Sequence, residues 1–364
     1  MLRAQTGAEE TAPAATSLTR ARARVVVVEA PGAMDAFTPR PALIRRAFET
    51  GLTNLARAGA VAAAWEVFVK REDVVGVKVH CGPGPLSGTR PSVVEALVQS
   101  LLDTGHPADR IIIWDKHEED LRRSGFLALG RRLGVSVQGA VEAGYDPHAF
   151  YDNALPGRLV WGDLEFRPGG NLMGRRSYVT RLLTRRITRV INVTPLLNHN
   201  LLGVSGCLFT LAYGSVDNTQ RFAGNLDRLA VAVPEIYALP EVGDHVAFHL
   251  VDALVAQYAG EESSLLHYSA ILNQLRFSTD PVALDVLSIQ ELARQRRRAG
   301  VPAEDVSLAP YHNASLLELG VSQPRAITLE KVRLKPGSRE TTRSAASAAA
   351  RESRPAPPPA RQKR

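Results

Sequence analysis

Apolar residues fall along this chain in two alternating rhythms. RVVVVEA, residues 24–30, is a continuous β-branched run of the kind that fills a strand buried on both faces. The same signal returns in VVGVKVH at 74–80, in RIIIW at 110–114, in RVINV at 189–193 and in HVAFHLV at 245–251. Between them the period changes. Residues 41–58 place Leu43, Ala47 and Leu55 near one helical face, with Gly59 as a stop. Val93, Val94, Leu97, Val98, Leu101 and Leu102 recur at helical spacing, with Ser92 and Glu95 placed for a capping box and Gly105 closing the segment. Further helices are expected over 178–187, 203–213, 226–237 and 281–299, the last with Asp280 as N-cap and Pro281 at N1.

A strand, a loop, a helix and a second strand within about 40 residues make a βαβ unit, which requires a parallel sheet. The expected fold is therefore α/β, a Rossmann-like layered arrangement with a mostly parallel sheet and helices on both faces. A single domain should span 24–335. Residues 135–175, rich in Gly, Pro and Tyr, read as an irregular insertion or lid.

With 364 residues, 45% of them hydrophobic, the chain has ample material for a large core. No apolar run reaches the length of about 18–20 residues that a membrane span needs. The first residues lack the apolar stretch of a signal peptide, so the expected location is cytoplasmic. Two cysteines exclude a disulfide framework. The net charge of +7 belongs to the ends of the chain. Residues 336–364 carry seven basic and two acidic side chains, and residues 1–24 carry four and two, which leaves the body neutral. That distribution argues against a nucleic-acid binder. Both ends are too poor in large apolar residues to order themselves, and the C-terminal Pro/Ala/Arg tail is expected to be disordered.

Ligands of parallel α/β sheets bind beyond the carboxyl ends of the strands. That rule gathers three polar clusters at one mouth: Lys78, His80 and Cys81; Asp115, Lys116 and His117; and Asn198, His199 and Asn200. Lys78 lies in a run that should be buried, so it must pair, lose its proton or reach a cavity. The loop CGPGPLSGTRP matches neither a P-loop nor a dinucleotide fingerprint. It is either an anion site helped by Arg90 or a rigid turn whose prolines remove donors. Cys81 is either a reactive thiol, a metal ligand or a buried small hydrophobe, and Cys207 reads as the last of these. His80, Cys81, Asp115, His117 and His199 have ligand chemistry, but none shows a tight ligand spacing, so no metal is assigned. Gly214 reads as a helix stop before a substrate loop in which Asn218, Thr219 and an exposed Arg221 donate hydrogen bonds.

Taken together, VVGVKVHCGPG, TRPSVVEALVQSLLDTG, RIIIWDKHEEDLRRSGF, INVTPLLNHNLLGVSGCLFTLAYGSVDNTQRF and FSTDPVALDVLSIQ resemble the domain of unknown function 362 family across residues 24–330. The resemblance implies a Rossmann-like fold and, in some members, an exported or iron–sulfur-linked setting, but little about the reaction. The family pattern has Lys-x-Asn where Lys78-Val79-His80 stands, a lysine before an Asp/Asn-His pair where this chain has Leu197-Asn198-His199-Asn200, and Lys-Asn at Phe209-Thr210. Without a cysteine-rich segment the iron–sulfur association does not carry over, and no cofactor is identified. The reading that results is an enzyme acting on a small polar or anionic molecule in a cleft at the sheet's carboxyl edge. Lys78 would bind or polarise the substrate, His199 would act as acid/base and Asp115 would orient it. His80, Cys81, Arg90, Asn198, Asn200, Asn218, Thr219 and Arg221 would contact it. The alternative is a non-catalytic binding or accessory protein using the same cleft.

Overall fold

The structure, a computed structural model, describes residues 22–158, 173–261 and 264–335, and the side chains of 154–158 and 173 are not part of that description. The expected disordered ends lie outside the described residues, apart from 22 and 23.

Eight strands build the central sheet: β1 (Ala23–Glu29), β4 (Val75–Lys78), β5 (Ile111–Asp115), β6 (Ser136–Gly139), β9 (Arg189–Leu197), β10 (Val246–Gln257), β11 (Ser269–Ser278) and β12 (Ile327–Arg333). Two small ribbons pair β2 (Met34–Asp35) with β3 (Thr38–Pro39) and β7 (Tyr145–Arg158) with β8 (Met173–Thr180). The helices are α1 (Pro41–Ala56), α2 (Val61–Phe68), α3 (Gly84–Ser87), α4 (Pro91–Leu102), α5 (Glu118–Arg123) and α6 (Phe126–Leu133). They continue with α7 (Ala140–Ala143), α8 (Arg181–Arg185), α9 (Cys207–Ser215), α10 (Leu226–Tyr237), α11 (Pro281–Arg298) and α12 (Ala309–Leu316).

The sheet order is β12-β1-β11-β10-β9-β4-β5-β6. Only β11 runs against its neighbours; every other adjacent pair is parallel. Alternate side chains of each strand feed two separate cores. Val26, Val28, Val75 and Val77 meet α1, α2, α4 and α6 on one face. Val25, Val27, Val190 and Leu196 meet α8 to α12 on the other. The fold is thus α/β with helices on both faces of a mostly parallel sheet.

The order also fixes a switch point. From β4 the chain passes through α4 to β5 on one side, whereas from β9 it passes through α9 and α10 to β10 on the other. β4 and β9 are themselves paired, with Lys78 opposite Asn192. Since α4 packs in one core and α9 in the other, the connections leave these two strands toward opposite faces. That is the position where α/β sheets open a crevice.

Several expected elements need correction. Residues 135–175 are not an irregular insertion as far as they are described: β6 is an edge strand of the main sheet, and β7 forms an antiparallel ribbon with β8. The expected basic helix at 178–187 is the end of β8 followed by the short α8. Its misreading follows from length, since a single helical turn leaves little periodicity to detect. α1 ends at Ala56 with Arg57 in the left-handed conformation, so Gly59 is not its stop. Ser92 is no cap: Pro91 takes the first helical position and Arg90 becomes the N-cap residue, leaving Ser92 inside α4. Asp280 does cap α11, accepting from Ala283 N at 2.8 Å.

Candidate functional site

At the carboxyl ends of β4 and β5, Lys78 is completely buried, and its Nζ donates to Asp115 Oδ1 at 2.8 Å and to Val79 O at 2.6 Å. The ammonium also lies 5.5 Å from the centre of the Trp114 ring. Asp115 Oδ2 accepts the Cys81 amide at 2.6 Å, so one carboxylate ties the two strand ends together. Burial alone would raise the Asp115 carboxyl, but Lys78, His80 and the Cys81 amide together hold it below its ordinary value. Of the three ways open to a lysine in a buried strand, Lys78 takes the ion pair.

The lysine is sealed from above by α9. A Cβ on Gly214 would stand 2.3 Å from Lys78 Cε. Gly214 lies within α9 rather than ending it, and its function is close approach, not termination. Cys81 is buried, and burial first, then Asp115, pushes its thiol well above the usual range. The same causes, with Asp285 as the neighbouring charge, act on Cys207. Neither sulfur is a thiolate near neutral pH.

The Gly/Pro loop spends its amides internally. Gly84 N donates to Cys81 O, Gly88 N to Gly84 O, Thr89 N to His80 O and Arg90 N to Asp252, while Pro83 and Pro85 have no donor. Arg90 is buried, and its guanidinium meets Asp252 Oδ2 at 3.0 Å and Leu86 O at 2.9 Å. Of the two readings of the loop, this geometry supports the rigid turn. His80 is buried as well, its amide bonded to Thr89 Oγ1.

The expected loop at 214–221 is packed inside the protein. Arg221 is not exposed: it is 1% accessible, and its guanidinium donates to Ser177 Oγ, Asn153 O and Tyr151 O. Those partners belong to the β7–β8 ribbon, so Arg221 fastens the ribbon to the body. Asn218 adopts a left-handed conformation and donates to Arg176 O on the same ribbon. Thr219 Oγ1 accepts from Lys116 Nζ at 2.9 Å.

Half-buried Lys116, Tyr213 and His199 flank buried Phe209 along α9. Lys116 lies 4.2 Å from the Tyr213 ring centre and donates to Val216 O at 3.2 Å, beside the helix's carboxyl end. Tyr213 stacks with Phe209 one turn back, centroids 5.2 Å apart, and Phe209 meets His199 edge to face at 4.7 Å. His199 Nδ1 accepts the amides of Leu201 and Leu202, both at 3.2 Å. The same Nδ1 stands 3.6 Å from Glu261 Oε1. Asn198 is buried, its Oδ1 accepting from Glu261 N and its amide donating to Asn200 Oδ1. His117 is exposed at the start of α5. Thus Lys78, Asp115 and Cys81 form one buried group, while His199, Asn198 and Asn200 form another around Glu261.

Beneath the amino end of α9 is a carboxylate that the sequence reading passed over. Asp285 accepts from Cys207 N at 2.6 Å and Leu208 N at 3.0 Å, and burial raises it to about 7 despite those bonds. Nearby, His249 is bonded to Asn192 Nδ2 at 3.2 Å and to the Tyr237 hydroxyl at 2.9 Å, and burial lowers it to about 3. Asp285 and Asp252 each interrupt an apolar run, which is the signal that drew attention to Lys78. Among the described residues no group of three or more His, Cys, Asp or Glu could hold a metal, and no helix is long and apolar enough to cross a membrane.

No family model matches this chain, and no curated protein matches it. Among solved structures, it is similar to a crystal structure of a protein from Thermotoga maritima, with 14% identity, 74% of this chain covered and a TM-score of 0.40. The match spans 61% of that protein's length.

Proposed function

We propose that this chain is a protein of the domain of unknown function 362 kind that binds a small polar or anionic molecule at the β4/β9 switch point. The observation that carries this reading is the row of ring contacts from Lys116 through Tyr213 and Phe209 to His199, beyond the carboxyl ends of the strands. It sets a cation and an imidazole against two aromatic side chains of α9, a set suited to a carboxylate or phosphate with an apolar body.

Binding is favoured over catalysis by the state of the would-be catalytic groups. Lys78 and Asp115 neutralise each other out of reach of solvent, and Cys81 holds its proton. A general base needs an accessible lone pair near the proton it takes.

Thermal unfolding with inorganic phosphate, succinate and glutamate, each scanned to millimolar concentration, tests the proposal. At least one should raise the midpoint by a few degrees, as a ligand specific for the folded state must. Lys116→Ala and His199→Ala should each remove that rise. If no member of the panel shifts the midpoint, or the shift survives both substitutions, the site is elsewhere.

A further inference from the structure

A second site lies at the opposite, amino edge of the sheet. There α2, α4 and the loops leading into β4 and β5 enclose a cavity of about 200 Å³. Trp65, Val69 and Leu101, all buried, give it an apolar floor. Glu66 and Arg71 stand exposed at its rim.

One buried polar atom of this cavity has no hydrogen-bond partner among the described residues. His106 is only 7% exposed, and its Nε2 is buried without a hydrogen bond. Burial pushes this imidazole below its ordinary value, against backbone hydrogen bonds at Arg110 and Asp73. At neutral pH it is therefore uncharged, and the ring nitrogen without a partner is an acceptor in want of a donor. Arg71 stands exposed at the rim, and its planar fork suits an anion. Unsatisfied buried polar atoms are uncommon enough to call for an explanation, and an orphan ring nitrogen in a cavity that also holds a guanidinium and an indole calls for a ligand.

We propose that this cavity binds a small planar aromatic acid carrying a hydroxyl or N–H group. Its ring lies on Trp65 and Leu101, its carboxylate meets Arg71, and its donor meets His106 Nε2. The volume suits one ring, given that a cavity of about 150 Å³ accommodates benzene. Glu66 at the rim repels a second negative charge and limits the ligand to a monoanion.

Titration of the full chain with 4-hydroxybenzoate, followed by tryptophan fluorescence and calorimetry, tests this. Saturable one-to-one binding is expected, weaker by about tenfold for benzoate, which lacks the donor. Arg71→Ala should weaken it by at least about tenfold, consistent with loss of a charge-assisted bond. Ala62→Trp, a substitution at an exposed lining position, should abolish it by filling the space. Absence of saturable binding to the wild-type chain, or binding that survives both Arg71→Ala and Ala62→Trp, overturns the proposal.

Discussion

Lys78 and Asp115 form an ion pair 2.8 Å long across adjacent parallel strands, with 0% of the lysine side chain and 7% of the aspartate side chain exposed. A pair so enclosed is held by geometry and by the other bonds each partner makes. Asp115→Ala should therefore destabilise the protein by about 3–5 kcal/mol, because it leaves a buried ammonium uncompensated. The double change Lys78→Met with Asp115→Leu should lose far less. Urea unfolding of the three proteins decides the matter, and equal losses in the single and double variants would refute the assignment.

The Asp115 carboxyl is held low in the folded state, so its stabilisation is present above the unfolded value of about 3.9 and disappears as pH falls through the folded value. Asp115→Asn should flatten that part of the acid transition.

Gly214→Ala sets two effects against each other. Alanine inside a helix gains up to about 1 kcal/mol over glycine. Here the added Cβ meets Lys78 Cε at 2.3 Å, and the lysine is anchored at its tip. Overpacking of about 1–3 kcal/mol should win. A variant more stable than the parent chain would show that Lys78 has room to move.

Two buried groups on the far side of α9 have opposite pH dependence. Asp285 is raised to about 7, so its contribution is complete below the unfolded value of about 3.9 and is lost as pH rises toward 7. His249 is lowered to about 3, so its contribution is complete above about 6.5 and is lost as pH falls toward 3. Between about pH 4 and 6.5 the slopes oppose each other. Asp285→Asn should leave a protein that weakens on acidification through that window, and His249→Gln one that strengthens. Unfolding free energies at half-unit pH intervals would reveal both slopes, and identical pH profiles for the two variants would contradict the assignment.

The native thiols should be inert. Cys81 and Cys207 are both fully buried and both pushed well above the usual thiol range. Ellman's reagent at pH 8 should find no thiol in the folded protein and two in urea. A fast-reacting native thiol would restore Cys81 as a candidate nucleophile.

The strands that sequence displayed were those buried on both faces, where apolar runs are continuous: residues 24–30, 74–80, 110–114, 189–193 and 245–251 each overlap a strand of the central sheet. β11 was not legible, because polar Asn273, Gln274 and Arg276 break its run, nor was β12, whose TLEKVR alternates charged residues as an edge strand does. Lys78 was legible as an anomaly in need of a partner, whereas its partner lay 37 positions away and only the parallel register of β4 and β5 joins them. Gly214 shows a limit of a different kind. A glycine near a helix end reads alike whether it stops the helix or makes room for a neighbour, and only the position of Lys78 separates the two. Arg221 was assigned to the surface because a charged residue in a loop usually belongs there. Its burial depends on a ribbon that the sequence had presented as irregular.

The α9 helix is gripped at three places by other elements: Asp285 at its amino end, Lys78 beneath Gly214 and Lys116 at its carboxyl end. Phe209 and Tyr213, which carry the contacts to His199 and Lys116, ride on that same short rod. The two margins of the mouth therefore share one mechanical support. A change that reseats the helix displaces both margins together, so the width of the opening is set in the core rather than by the residues that line it.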